Sequence, residues 1–337
     1  MKNISIKDVA KIAKVSPSTV SKALNNHSDI KEETKKRIKK IAKELNYTPS
    51  AFGKGLKKQS TGNIGVIFNK TQLPLSGNTF YSRVLEGIEG EIAMFNHNLV
   101  LQLMPEDNPT DLPKMVRETS VDGIILVGVF LEDFVDRIND LGIPYVLIDP
   151  IKLMKNTCHV LIDNNYGIRT AMDYLIKQGH KEIAFICSDL NRLSFRQRYD
   201  GYLQTMKKYG LDIKEEWIVT GGVIDGYKQV VKILNQNNRP SAILSANDLN
   251  AIYGYQAILD TGLKIPDDIS IMGFDDIEQS KYMNPKLTTI RVYKEEMGSV
   301  AVRMLFDLIK KVSINPINKM IPVKLIERGS VKKVGDK

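Results

Sequence analysis

The chain has 337 residues, 42% of them hydrophobic and 26% charged, an ordinary globular composition long enough for two or three domains. That excludes a disordered tail protein and a disulfide mini-scaffold. The formal charge of +9 sits almost wholly at one end: residues 1–61 hold 15 Lys or Arg against 5 Asp or Glu, a net of +10, while residues 62–337 hold 33 against 34, a net of −1, so a small polycation is fused to a near-neutral body.

The N-terminus MKNISIKDVAK has no apolar h-region, and no run of about 18 apolar residues occurs. The expected compartment is the cytoplasm, at the nucleoid, with no membrane partner. Ile6, Val9, Ala10 and Ala13 then recur at helical spacing, and Ser5 with Asp8 reads as a capping box, which predicts a first helix. In VSPSTVSKALN, Ser16 can cap and Pro17 suits the first helical position, where no N–H is needed. A second helix from Pro17 turns Val20, Ala23 and Leu24 inward and leaves Ser18, Ser21, Lys22 and Asn25 as a stripe on the opposite face. A third helix, about Glu32 to Leu45, puts Ile38, Ile41, Ala42 and Leu45 inside and Lys35, Lys36, Arg37, Lys39, Lys40 and Lys43 mostly outside.

Only Lys14 and Val15 separate the last core residue of the first helix from the cap of the second, which reads as a helix-turn-helix completed by a third helix. The Ser, Lys and Asn side chains of the stripe are donors and acceptors that can reach base edges in a major groove. A solvated helix face gives the same pattern, and the segregated charge favours DNA over it. In NYTPSAFGKGLKKQST, Pro49 stops the third helix, and Gly53 and Gly55 each cost a helix on the order of 1 kcal/mol, which predicts a hinge unstructured on its own. Leu56 stands alone among Lys54, Lys57 and Lys58. Spacing alone makes it an ordinary linker leucine, although a minor-groove wedge flanked by phosphate contacts also fits.

IKDVAKIAKVSPSTVSKALN, ELNYTPSAFGKGL and IGVIF, followed through the body by LIDNNYGIRTAMDYLIKQGHKEIAFI, RYDGY, SANDLNAIYGYQAI, IPDDISIMGFDD and LTTI, resemble the LacI/GalR family of bacterial transcription regulators. The resemblance covers nearly the whole chain. It implies a recognition helix from Pro17 to about Asn25 with Pro17, Ser18, Ser21, Lys22 and Asn25 facing DNA. It also implies phosphate-contacting or positioning roles for Lys7, Ser16, Thr19 and Tyr47, and makes Leu56 the intercalating hinge leucine. Lys22 departs from the arginine usual there, so forked reading of guanine gives way to a single point-charge donor. Gly53 and Gly55 also replace the more helix-favouring alanines common in the hinge.

In the body, strand candidates IGVIF, LVLQLM, GIILVGV, YVLID, HVLI, IAFIC, WIVTG, AILSAN and ISIMGF alternate with amphipathic segments, a βαβ rhythm with mainly parallel sheets. About eleven strands exceed one comfortable sheet, which predicts two Rossmann-like lobes. The resemblance implies the type I periplasmic-binding-protein fold. The predicted organisation is an all-α head at 1–46, a hinge at 47–61 and an α/β body at 62–337 for effector binding and dimerisation, with lobe one at about 62–160 and 291–321 and lobe two at about 161–290 and 322–337.

Ligands in such sheets sit beyond the carboxyl ends of strands. Phe80 and Tyr81, beyond the first strand, can stack on a sugar or base, with helix core as the equal alternative. Arg198 in RQRYDGY matches the family's effector-binding arginine and can make forked bonds. Asn247 after AILSA offers a donor and an acceptor, and Asp275 after IMGF accepts hydroxyls; structural capping or lobe-closing bonds are the alternative. Arg196 is a weaker candidate, Trp217 reads as packing, and Asp163 and Asn164 as caps of the next helix. Cys158 and Cys187, in apolar segments without CxxC spacing, read as buried reduced thiols.

No GxxxxGK[ST], HExxH or GxSxG occurs, and His27, His97, His159 and His180 pair with no nucleophile at a recognisable spacing, so no enzyme, metal or cofactor is expected. The expected function is a DNA-binding regulator, in this family most often a repressor, whose homodimer binds a palindromic operator and answers to a small sugar-like metabolite. A global catabolite regulator taking a phosphorylated protein corepressor is the alternative; a sugar-binding transport component is disfavoured by the basic head and the missing signal peptide. The polar tail SVKKVGDK carries no leucine heptads for a tetramerising coiled coil.

Overall fold

The computed structural model describes residues 4–45, 47, 60–69, 75–104, 111–221, 225–312 and 315–335, in two compact units divided at Gly62. The first is a three-helix head: α1 (Ile6–Ala13), α2 (Pro17–Leu24) and α3 (Glu32–Glu44). The Asp8 carboxylate accepts from the Ser5 backbone N–H at 2.8 Å and from the Ser5 hydroxyl at 2.7 Å, tying down the start of α1. Ser16 caps α2 by accepting from Thr19 N–H at 3.1 Å. Lys14 takes the left-handed conformation, φ 54°, so α1 ends in one residue and the chain turns directly into α2. Val9, Ala10, Ala13, Val20, Ala23, Ile38 and Ala42 form the core, with half-buried Tyr47 packed against it. Lys35 is a correction to the helical arithmetic. It is buried at 6% exposure, its stem laid along the core and its ammonium returned to Glu32 at 2.8 Å.

The second unit carries two six-stranded sheets. The first contains β1 (Asn63–Asn69), β2 (Asn98–Met104), β3 (Gly123–Val127), β4 (Tyr145–Ile148), β5 (Cys158–Ile162) and β11 (Asn318–Ile321) in the order β11-β5-β4-β3-β1-β2. The second contains β6 (Ile183–Cys187), β7 (Ile218–Thr220), β8 (Ala242–Ser245), β9 (Ser270–Asp275), β10 (Thr288–Val292) and β12 (Val323–Ile326) in the order β12-β10-β9-β8-β6-β7. All pairings are parallel except β10 with β12. β3, β5, β6 and β8 are buried along their whole length, the condition of parallel strands covered on both faces and the reason they read as unbroken apolar runs.

The helices that cover them are α4 (Thr79–Met94), α5 (Lys114–Arg117), α6 (Glu132–Asp140), α7 (Asn164–Lys177), α8 (Leu193–Lys208), α9 (Gly226–Leu234), α10 (Asp248–Asp260) and α11 (Lys294–Ile309). The chain changes sheets three times. Leu161 and Ile162 still pair in the first sheet, Arg291 and Val292 still pair in the second, and only Pro322 separates β11 from β12. Where α11 re-enters the first lobe it meets α4 backbone to backbone: a Cβ on Gly87 would stand 1.9 Å from the Glu295 carbonyl oxygen, and one on Gly298 2.3 Å from that of Val84.

Candidate functional sites: a polar helix face and an interlobe pocket

In the head, Ser16, Pro17, Ser18 and Asn25 are exposed and Thr19, Ser21 and Lys22 half-buried. Ser16, Ser18 and Thr19 form a hydroxyl cluster at the start of α2, with Oγ–Oγ and Oγ–Oγ1 distances of 2.7 and 2.8 Å from Ser16. Asn25 turns its amide back onto the Ser21 carbonyl at 2.9 Å, keeping its side-chain oxygen as an acceptor. Lys22 donates to Asp29. Lys7 is exposed on α1, and Tyr47 packs on the head core with its phenol raised by burial. Leu56, Gly53 and Gly55 lie outside the described residues.

Between the lobes is a pocket of about 100 Å³ into which Phe80, Tyr81, Arg198, Asn247 and Asp275 all open. Arg198 is 2% exposed, lies 3.7 Å over the Phe274 ring, and donates to Asn164 Oδ1 (2.8 Å), the Ala246 carbonyl and Asp275 Oδ1 (3.2 Å). Gly201 explains its direction. A Cβ there would meet Ile168 of α7 at 2.0 Å, so this face of α8 is pressed inward, and Arg198, one turn earlier, shares it. Arg196 faces solvent and donates to the Leu190 carbonyl at 3.2 Å. Asn247 both lines the pocket and caps α10, accepting from Asn250 N–H at 2.8 Å. Asp163 caps α7, but Asn164 does not: it is buried and holds Arg198 with one end of its amide and Gln197 with the other, at 2.9 Å.

Asp275 occupies an unusual backbone conformation, φ 116°. Burial raises its carboxyl, opposed by Arg198 and Lys294. Beneath it, the buried Lys294 ammonium donates to the carbonyls of Asp275 (2.6 Å), Asp276 (3.2 Å) and Val292 (3.1 Å). Asp248, fully buried, accepts from Thr289 Oγ1 at 2.5 Å and Ile277 N–H at 2.9 Å; burial, with the Asp275 charge, pushes its carboxyl up to about 7. Asp276 is clamped by Arg328 (2.6 Å) and Arg291 (2.7 Å), which together outweigh burial and hold it below the ordinary carboxylate range.

Sequence reasoning overlooked a second set of lining groups. Asp149, immediately after β4, accepts from Tyr81 Oη at 2.8 Å and Ser194 Oγ at 2.7 Å and lies 3.4 Å from Arg192, which also donates to Tyr81 Oη at 2.7 Å. This network joins the two lobes across the pocket. Asp149 was legible as the last letter of YVLID, and Arg192 as the first cation beyond IAFIC. Tyr81 therefore packs as helix core and presents a hydroxyl, burial raising it above the ordinary phenol range, while Phe80 stays half-buried at the rim. Trp217 is packing, 1% exposed, with its indole N–H on the Asn238 carbonyl at 3.1 Å. Both cysteines are buried and free. Among the described residues no cluster of metal-ligating side chains occurs, and no helix is long and apolar enough to cross a membrane.

Residues 5–50 match the lacI family model of bacterial regulatory proteins, and residues 172–331 a periplasmic-binding-protein-like domain. The chain is 34% identical to the HTH-type transcriptional repressor PurR of Pasteurella multocida over 97% of this chain and 98% of that protein. It is 30% identical to PurR of Mannheimia succiniciproducens over 98% and 99%. Its fold superposes on the lac repressor dimer bound to operator and the anti-inducer ONPF with a TM-score of 0.84 at 24% identity, covering 98% of this chain and all of that one.

Proposed function

Because the chain belongs to the lacI family of bacterial regulatory proteins and is thus a DNA-binding transcriptional regulator, we propose that it represses transcription as a homodimer on a palindromic operator and is controlled by a small sugar-like metabolite in the interlobe pocket. The observation that carries this reading is the pairing of one polar, cation-bearing helix face, on a head that with its hinge carries +10, with a mixed polar pocket in a near-neutral body. In the proposal Pro17, Ser18, Ser21, Lys22 and Asn25 face the major groove, Lys7, Ser16, Thr19 and Tyr47 hold or order the phosphates, and Leu56 wedges the minor groove. Most of the affinity comes from phosphate neutralisation and falls steeply with salt.

A hydroxylated ring suits the pocket, since each hydroxyl both donates and accepts and the lining offers carboxylates, guanidinium groups, hydroxyls and an amide around the Phe80 and Phe195 rings. The effector acts by its different affinity for the lobe arrangements, which biases the hinge segments and so the operator-bound state. Dimerisation is supported by the likeness to the lac repressor, which is a dimer when bound to operator. The chain works in the cytoplasm, at the nucleoid.

The test is equilibrium binding to a duplex selected from random sequence. Leu56→Ala and Lys22→Ala each lose affinity for it; wild-type binding by both refutes the DNA assignment. Arg198→Ala and Asp275→Ala keep operator binding and lose the response to a metabolite found by thermal-shift screening of sugars and their derivatives. Intact response with lost operator binding refutes the pocket assignment.

A further inference from the structure

The acids of the head include Asp8, Asp29, Glu32 and Glu44. Asp8 engages Ser5, Glu32 engages Lys35, and Glu44 lies 4.0 Å from Lys40, each on its own helix. Asp29 instead meets α2: standing in the turn that follows it, its Oδ2 accepts from Nζ of Lys22 at 2.5 Å, with both side chains roughly half exposed. The bond to Lys22 holds its carboxyl below the ordinary range.

A carboxylate beside the only cation of a DNA-facing helix is repelled by phosphates unless the duplex offers it a donor. One edge does so. In the major groove a G·C pair presents the guanine O6 and N7 acceptors next to the cytosine N4 amino donor, while an A·T pair presents a donor where guanine has O6 and an acceptor where cytosine has its amino group. A donor and an acceptor held side by side, as Lys22 Nζ and Asp29 Oδ2 are, match the first edge and oppose the second.

Resting on the reading of α2 as the recognition helix, we propose that Lys22 and Asp29 form one unit that reads a single G·C pair in each half-site, Lys22 donating to guanine O6 or N7 and Asp29 accepting from cytosine N4. The ion pair also restricts a flexible lysine. An exposed pair of this kind is worth a factor of about 1.5 to 5, too little to withhold Lys22 from guanine and enough to bias where its ammonium rests. Asp29 is then a specificity-determining residue: it discriminates against thymine, whose O4 would face its carboxylate.

The experiment uses the full chain and the duplex selected from random sequence, with every base pair of the half-site replaced in turn. For the wild type, one G·C to A·T replacement carries a penalty within the range of a read base pair, about 5- to 150-fold. In Asp29→Ala that penalty falls at least about fivefold while those at other positions stay within about twofold, and Asp29→Asn, whose amide can present either atom, shifts the same position in the same direction. An unchanged penalty profile in Asp29→Ala overturns the proposal, and so does a uniform gain in affinity for all duplexes, which would make Asp29 a charge and not a reader. Failure of the underlying reading is separate: Lys22→Ala then binds the selected duplex like the wild type. Loss of binding in Lys22→Ala with an unchanged Asp29→Ala profile refutes the role of Asp29 alone.

Discussion

Replacing Asp248 by Asn removes a buried titratable carboxyl while keeping its shape. The folded carboxyl is pushed from its ordinary 3.8 to about 7, first by burial and then by the Asp275 charge. At 1.36 kcal/mol per unit this is on the order of 4 kcal/mol of difference between protonated and ionised forms. Because the folded value lies above the unfolded one, the native state holds a proton that the unfolded chain releases. The associated stability is whole below about pH 4, declines as the pH rises and is gone above about pH 7. Asparagine stays neutral throughout, and its amide can accept from Ile277 N–H and donate to the Thr289 hydroxyl oxygen. The stability of Asp248→Asn relative to wild type should therefore climb by about 1.4 kcal/mol per pH unit between about pH 4 and 7 and then level off. Urea unfolding followed by fluorescence measures it, since Trp217 is the only tryptophan and is buried against the second sheet. A difference that stays flat across that range refutes the assignment of a raised carboxyl.

Three further outcomes follow from the same geometry. Asp276→Ala strands Arg291 and Arg328 and should destabilise the body by about 3–5 kcal/mol in the Trp217 assay; a loss under about 1 kcal/mol would show the clamp to be solvated. Its pH dependence runs opposite to that of Asp248: the depressed carboxyl contributes stability above its ordinary value and loses it as the pH falls. Gly87→Val forces a side chain into the Glu295 carbonyl, and the α4–α11 contact should open at a cost of about 2–3 kcal/mol, visible as a lower thermal midpoint; an unchanged midpoint refutes the close approach. Cys187, fully buried and with its thiol pushed up to about 12 by that burial, should resist a thiol reagent at about pH 8 and react in denaturant. Rapid native labelling of Cys187 contradicts its burial.

Much of this architecture was legible because buried parallel strands are apolar on both faces and therefore announce themselves. IAFIC and GIILV needed no periodicity analysis. The strands β11 and β12 gave no such signal: NKMI and VKLI mix exposed lysines with apolar residues at the sheet edges. Lys35 was misplaced because helical arithmetic assigns a whole residue to one face, whereas a lysine can bury its stem and bring its charge to a neighbour. In the pocket, residues just after strands were the right place to look, and Asp275 and Asn247 are there. Arg192 and Asp149 escaped because their importance lies in each other, across the two lobes, and nothing local to either segment announces a partner 43 residues away. Asn164 likewise looked like a cap because its neighbour Asp163 is one.

Pro322 has a mechanical meaning. Ile321 ends a strand of one sheet and Val323 begins a strand of the other, so their Cα atoms can never be more than about 7 Å apart. With the edges of the lobes pinned there, and joined again after Ile162 and Val292, pulling one lobe away from the other would have to stretch these junctions, whereas rotation about them as an axle needs only dihedral changes within them. Displacement then grows with distance from the pin. A small turn at the strand junctions becomes a large excursion at the far rim of each lobe, and a contact made far from the axle has the longest lever.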